Sequence, residues 1–127
     1  MKEQFFSKAL LDKMFTQEVT INSKQQFGPN ALMETNENQG INLGYGLDWG
    51  LLDSSYGIGI FKEGYAEGFQ HYSILFPETG IGVVIISNSN NAESIFKELL
   101  EYTIADTYTP WKWEKLYTTQ KIKNLMD

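Results

Sequence analysis

Gly68-Phe69-Gln70-His71-Tyr72-Ser73-Ile74-Leu75-Phe76-Pro77-Glu78-Thr79-Gly80-Ile81-Gly82-Val83-Val84-Ile85-Ile86-Ser87 reads as strand, turn, strand. Successive side chains of a strand point to opposite faces. Phe69, His71, Ser73 and Leu75 therefore share one face, and Gln70, Tyr72, Ile74 and Phe76 share the other. Pro77-Glu78-Thr79-Gly80 is a hairpin turn: proline presets φ and glycine permits positive φ. The run Val83-Val84-Ile85-Ile86 is apolar on both faces, which predicts a central strand covered on both sides.

Working outward, Ile41, Leu43, Tyr45, Leu47, Trp49 and Leu51 alternate with small or polar residues and predict a half-buried strand. Asp53-Ser54-Ser55 predicts a turn, followed by a strand from about Tyr56 to Phe61. Short links between these four strands imply an antiparallel meander. Ser7 can cap a short helix carrying Leu10, Leu11, Met14 and Phe15 on one face. Thr20 to Gly40, crowded with Asn, Gln and Gly, reads as mostly loop. Asn90 with Glu93 predicts a capping box, and Ile95, Phe96, Leu99, Leu100, Thr103 and Ile104 form one apolar helical stripe. Trp111 and Trp113 are expected to pack back on the body, with a further short helix in Thr118 to Asp127. The fold class is α+β: an antiparallel sheet of about four strands flanked by an N-terminal and a C-terminal helix. Residues 1–127 form a single domain or a fragment of one.

Composition narrows the function. The net charge of −6 gives no electrostatic reason to bind nucleic acid or anionic membranes. With no cysteine, a disulfide, a thiolate metal site and a cysteine nucleophile are excluded. A single histidine argues against a His-based metal site, and no metal or cofactor is expected. The apolar run Ile81 to Ile86 is too short to span a bilayer. Met1 to Phe6 lacks the uninterrupted apolar segment of a signal peptide.

Candidate chemistry has a bland counterpart at each position. His71 and Ser73 lie two apart on one strand face, a poor geometry for a base and its nucleophile, so His71 reads as a satisfied structural histidine. Ser94-Ile95-Phe96-Lys97 spells Ser-x-x-Lys, which sets a lysine beside a serine on a helix. Ile95, Phe96 and Leu99 carry the apolar stripe, so Ser94 and Lys97 fall on the solvated side as a surface coincidence. Ser89-Asn90-Asn91 reads as a turn and cap. Gly57, Gly59, Gly64 and Gly68 lie among strands, where glycine marks bulges or close backbone approach and not a dinucleotide site.

Three stretches in order resemble one family. Tyr45-Gly46-Leu47-Asp48-Trp49-Gly50 looks like the YGLGWG strand of class C β-lactamase-like serine hydrolases. Phe61-Lys62-Glu63-Gly64-Tyr65 through Phe69 is similar to their third motif, Lys-Thr-Gly or His-x-Gly. Pro77 to Asn88 resembles the hairpin that follows, and the helix from Asn91 their C-terminal helix. The likeness runs from residue 7 to about 115. It implies the C-terminal part of the β-lactamase/transpeptidase-like fold, a penicillin-binding-protein type of chemistry, and acyl transfer from an ester or amide to serine and then water. By the same resemblance Lys62 binds a substrate carboxylate, and Gly64 and Tyr65 shape the oxyanion hole, Tyr65 through its N–H. Glu63 stands where the family carries Thr or Ser, so a negative charge is expected where substrate carboxylates bind. The family also suggests an extracytoplasmic bacterial setting.

The Ser-x-x-Lys and Tyr-x-Asn/Ser motifs have no counterpart before Lys62. The expectation is a C-terminal segment of such a hydrolase, inactive alone, whose partner is the missing N-terminal part of the same enzyme. An unpartnered sheet edge would favour a homodimer. The alternatives are a stand-alone non-catalytic binding module on the same sheet and a small hydrolase using Ser73 or Ser94 in an unrelated arrangement. A Ser-x-x-Lys helix encoded upstream of Met1 separates the first two, and ester hydrolysis separates the third.

Overall fold

The computed structural model describes residues 5–114. The short helix expected in Thr118 to Asp127 lies outside them. Six strands form one antiparallel sheet whose spatial order follows the chain, β1 to β6. They are β1 (Val19–Thr20), β2 (Gly44–Tyr45), β3 (Gly50–Ser54), β4 (Gly57–Ala66), β5 (Phe69–Phe76) and β6 (Ile81–Ser87). Helix α1 (Lys8–Met14) precedes the sheet, and α2 (Phe96–Ile104) and α3 (Trp111–Glu114) follow it. The α+β class and the meander hold. The count is six strands and not four, for two local reasons.

The first is a hidden turn. The alternation from Ile41 to Leu51 predicts one strand, but the chain reverses between Tyr45 and Gly50, pairing Gly44 with Leu51 and Tyr45 with Gly50. The Gly46 N–H donates to the Trp49 carbonyl at 2.9 Å, and Asp48 takes the left-handed φ of +67°. A four-residue turn preserves an every-second-residue pattern, so periodicity alone does not show it. The second is β1, two residues long, which pairs with β2 inside the stretch read as loop. The turn expected at Asp53-Ser54-Ser55 falls slightly later, because Asp53 and Ser54 still pair with Ile58 and Gly57. Strand β4 also runs five residues past Phe61, to Ala66.

Cross-strand rows define two faces. The inner face carries Phe61, Ile74 and Val83 in one row and Glu63, Tyr72 and Ile85 in the next. Phe61, Tyr72, Ile74 and Phe76 are fully buried there with Phe96 and Leu100 of α2. Burying each such side chain contributes about 1.5–3 kcal/mol, so this face holds the fold together. Trp111 and Trp113 do pack back: Trp111 lies 5.2 Å from Tyr72 and Trp113 lies 6.2 Å from Tyr45, ring to ring. Ser7 caps α1 by accepting from the Leu10 N–H, yet α1 buries no residue.

Two expectations fail. Among the described residues, strand β6 is an edge strand and is not covered on both sides. Its inner residues pack under α2, but Val84 and Ile86 on the outer face are 71% and 72% exposed. Hydrophobicity on both faces signals a need for cover, and the described residues supply it on one face only. The Asn90–Glu93 capping box does not form. The Asn90 side chain accepts from the Gly68 N–H at 2.5 Å, and the Glu93 N–H donates to Gln70 at 2.9 Å. The turn Ala92–Ile95 is thereby tied to β5 before α2 begins.

Candidate functional site

The outer face of β4 and β5 brings Lys62, Gly64, His71 and Ser73 together, while the Tyr65 side chain falls on the other face. Lys62 opposes Ser73, Gly64 opposes His71, and Tyr65 opposes Gln70. Strand alternation therefore places Lys62, Gly64, His71 and Ser73 on one face. Pairing between β3 and β4 stops at Gly50–Phe61, so no strand covers the β3-side edge of residues 62–66 among the described residues. Among the described residues the Lys62–Ala66 backbone is thus an open edge beside the turn that carries Asp48.

Lys62 is not a bare cation. Its Nζ donates to Asp48 Oδ1 at 2.9 Å and to the Asp48 carbonyl at 3.0 Å. Gly64 is required by close approach: the His71 imidazole lies directly over its α-carbon, and a β-carbon there would enter the ring. His71 is not the satisfied histidine the sequence suggests, since its buried Nδ1 has no partner among the described residues. Its ring packs 5.2 Å from Phe69. Ser73 Oγ donates to the Lys62 carbonyl at 3.3 Å and makes no hydrogen bond to His71, so no base–nucleophile pair exists there.

Glu63 corrects the expectation of a charge in the substrate site. It is adjacent to Lys62 on a strand and so points to the inner face. There Glu63 Oε1 accepts from Gln26 Nε2 at 2.5 Å and from the Tyr45 hydroxyl at 3.5 Å. Glu114 enters the same polar pocket, 4% exposed, and accepts from the Tyr72 hydroxyl at 3.5 Å. Oε2 of each carboxyl is buried without a partner among the described residues. Burial foremost, and then the charge of Glu63, hold the Glu114 carboxyl well above the ordinary carboxylate range. Burial, and then Glu63, likewise push the Tyr45 phenol up. This cluster lies behind β4: Glu63 ties the Gln26 loop and β2 to the strand that carries Lys62, and Glu114 ties α3 to β5.

The Ser94–Lys97 face departs from the expected one: Ser94 and Lys97 are half-buried, while Ile95 and Leu99 are exposed. Ser94 Oγ donates to the Asn91 carbonyl at 2.7 Å, while Lys97 bonds Glu101 one turn along α2. On the helix side lies a cavity of about 430 Å³, lined in part by Lys24, Lys97, Trp111 and Trp113. It shares no residue with the Lys62 face. Among the described residues, no group of acidic residues and histidine could hold a metal ion, and no helix is long and apolar enough to cross a membrane. Asp48 and the Gln26–Glu63–Glu114 cluster do not follow from the motifs of the sequence. Asp48 carried one signal, an aspartate where the resembling strand reads glycine. Gln26 and Glu114 carried none, because their partners are far away along the chain.

A family model described as Beta-lactamase matches residues 9–105. No curated protein and no solved structure matches the chain.

Proposed function

The chain belongs to the beta-lactamase family, and from that premise we propose that it forms the sheet portion of a penicillin-binding-protein type of serine hydrolase, inactive by itself. In the reaction so assigned, a serine hydroxyl outside these residues attacks the carbonyl carbon of an ester or amide and loses its proton to a neighbouring base. The Tyr65 N–H stabilises the resulting oxyanion. The tetrahedral species expels the alcohol or amine, and water then releases the acid from the acyl-serine. Lys62 supplies positive potential beside the reacting group, and Gly64, covered by the His71 ring, carries the edge backbone from Lys62 to Tyr65.

One observation supports this most. Lys62 and Gly64 share an outer face next to an edge with no strand partner among the described residues, where an extended substrate or a catalytic segment can lie. An N-terminal part of the same enzyme is the partner this reading requires, and Val84 and Ile86 are the apolar residues it would cover. Without it, the β6 edge and this face favour a homodimer.

The test uses the purified chain with a p-nitrophenyl ester and a chromogenic cephalosporin. Hydrolysis at the uncatalysed rate is expected. Turnover abolished by Ser94→Ala would sink the proposal. The exposed Val84–Ile86 face also suits the second reading, a non-catalytic interaction module. Sedimentation separates the two, since a clean monomer at concentrations where an enzyme fragment would self-associate favours the module.

A further inference from the structure

Asp48 is the one described residue that combines a left-handed backbone with a contact to the candidate site. Its φ of +67° lies in a region where only glycine is free of penalty, although aspartate tolerates it better than most residues. The conformation turns the 46–49 loop so that both the carboxylate and the carbonyl of one residue reach the same ammonium, at 2.9 and 3.0 Å. An ammonium has three N–H donors, so Asp48 engages two of them. Non-glycine residues held at such φ values concentrate where the local geometry serves a site.

We propose that Asp48 is a specificity-determining residue: a built-in carboxylate counter-ion that occupies Lys62 and steers the site toward substrates that are uncharged at the end meeting this lysine. The inference rests on the reading of Lys62 as the anion-binding group of the third motif. A substrate carboxylate arriving at Lys62 must displace the carboxylate of Asp48 or accept its repulsion. A neutral ester or amide meets neither obstacle and can use the remaining donor. Because the Asp48 side chain is 86% exposed, the competition is soft and screened by salt. The effect is a bias between substrate classes and not a closed site.

The chain as it exists can be tested by binding, with no need for turnover. Phenylacetate and the neutral phenylacetamide are titrated into isotope-labelled chain while the amide signals of Gly64 and Tyr65 and the Lys62 ammonium signal are followed. Asp48→Asn keeps the shape and tolerance for left-handed φ but removes the charge. Asp48→Gly removes both the charge and the strain. Both variants should bind phenylacetate about three- to fivefold more tightly than the parent chain at low salt, with the gain shrinking as salt rises. Phenylacetamide should bind all three alike.

Phenylacetate binding that is equal in all three chains, yet lost in Lys62→Gln, would overturn the role of Asp48 and leave the reading of Lys62 intact. Phenylacetate that perturbs none of these signals in any variant would instead remove Lys62 as an anion receptor, and the inference with it. Unchanged amide patterns far from residue 48 establish that each variant is folded.

Discussion

Replacing Gly64 by alanine puts a methyl group inside the imidazole of His71. The Gly64 backbone does not lie in the left-handed region, so alanine is conformationally acceptable there and the whole penalty is steric. His71 is half-buried and can swing outward, giving up its contact with Phe69. Overpacking generally costs about 1–3 kcal/mol, and this escape route places Gly64→Ala near 1–2 kcal/mol. With a urea m-value of about 2 kcal/mol/M, the midpoint should fall by roughly 0.5–1 M. The decisive measurement is a double-mutant cycle with His71→Ala. Once the ring is gone, the three nearest contacts of the added methyl go with it and the methyl removes the excess unfolded-state entropy of glycine, so Gly64→Ala should become neutral or stabilising by up to about 1 kcal/mol. The coupling between the two positions is then about 2 kcal/mol, well outside the error of such cycles. If Gly64→Ala costs the same in both backgrounds to within about 0.5 kcal/mol, the imidazole does not impose the glycine.

Glu114→Gln should stabilise the chain, and more so as pH rises. A folded-state pKa raised above the unfolded value means the neutral carboxyl contributes fully below the unfolded pKa of 4.5 and is lost as pH climbs through the folded value. In that window the parent should lose up to about 1.4 kcal/mol per pH unit from this group, and the glutamine variant should not. Glu63, Glu93 and Asp106 all act on this carboxyl, so an equal difference between parent and variant at pH 5 and pH 8 would show that the cluster does not bind the proton. Asp106 is fully buried and accepts from the Tyr108 and Thr109 N–H groups at 2.8 and 3.2 Å and from the Thr109 hydroxyl at 2.5 Å. Asp106→Ala strands those donors and should cost about 2–4 kcal/mol, close to a 10 °C loss in Tm. A change under about 2 °C would mean that water replaces the carboxylate without cost.

The legible part of the fold was the part with local causes. Strands β5 and β6 have sharp boundaries because a Pro–Gly turn separates two runs, and the buried set Gln70, Tyr72, Ile74 and Phe76 follows from alternation alone. The edge position of β6 was not legible, since a sequence shows how apolar a strand is and not what lies beside it. The site divides in the same way. Lys62 and Gly64 fall on one face through their spacing of two, and that same rule sends Glu63 to the other side. The inward turn of Glu63 was therefore available from the sequence, although the resemblance drew attention to the substrate side. The Gln26–Glu63 bond spans 37 positions and has no local signature. The ion pair of Lys62 with Asp48 depends on a hairpin that preserves the period of a single strand, so periodicity hides the turn that creates it.

Strand order that repeats chain order also has a kinetic meaning. Each strand finds its partner in the one synthesised just before it, so the sheet can grow hairpin by hairpin from the amino end without waiting for a distant segment. The exception is the closing clasp, where the Trp113 indole donates to Ser23 across 90 positions and the Gln26 N–H donates to the Trp113 carbonyl. A contact of that span is expected to form after the rate-limiting barrier. Trp113→Phe should then speed unfolding while leaving the refolding limb of a chevron nearly unmoved. A slower refolding limb would instead put the clasp in the nucleus. The tryptophan tail thus governs how long the folded sheet lasts more than how quickly it is made.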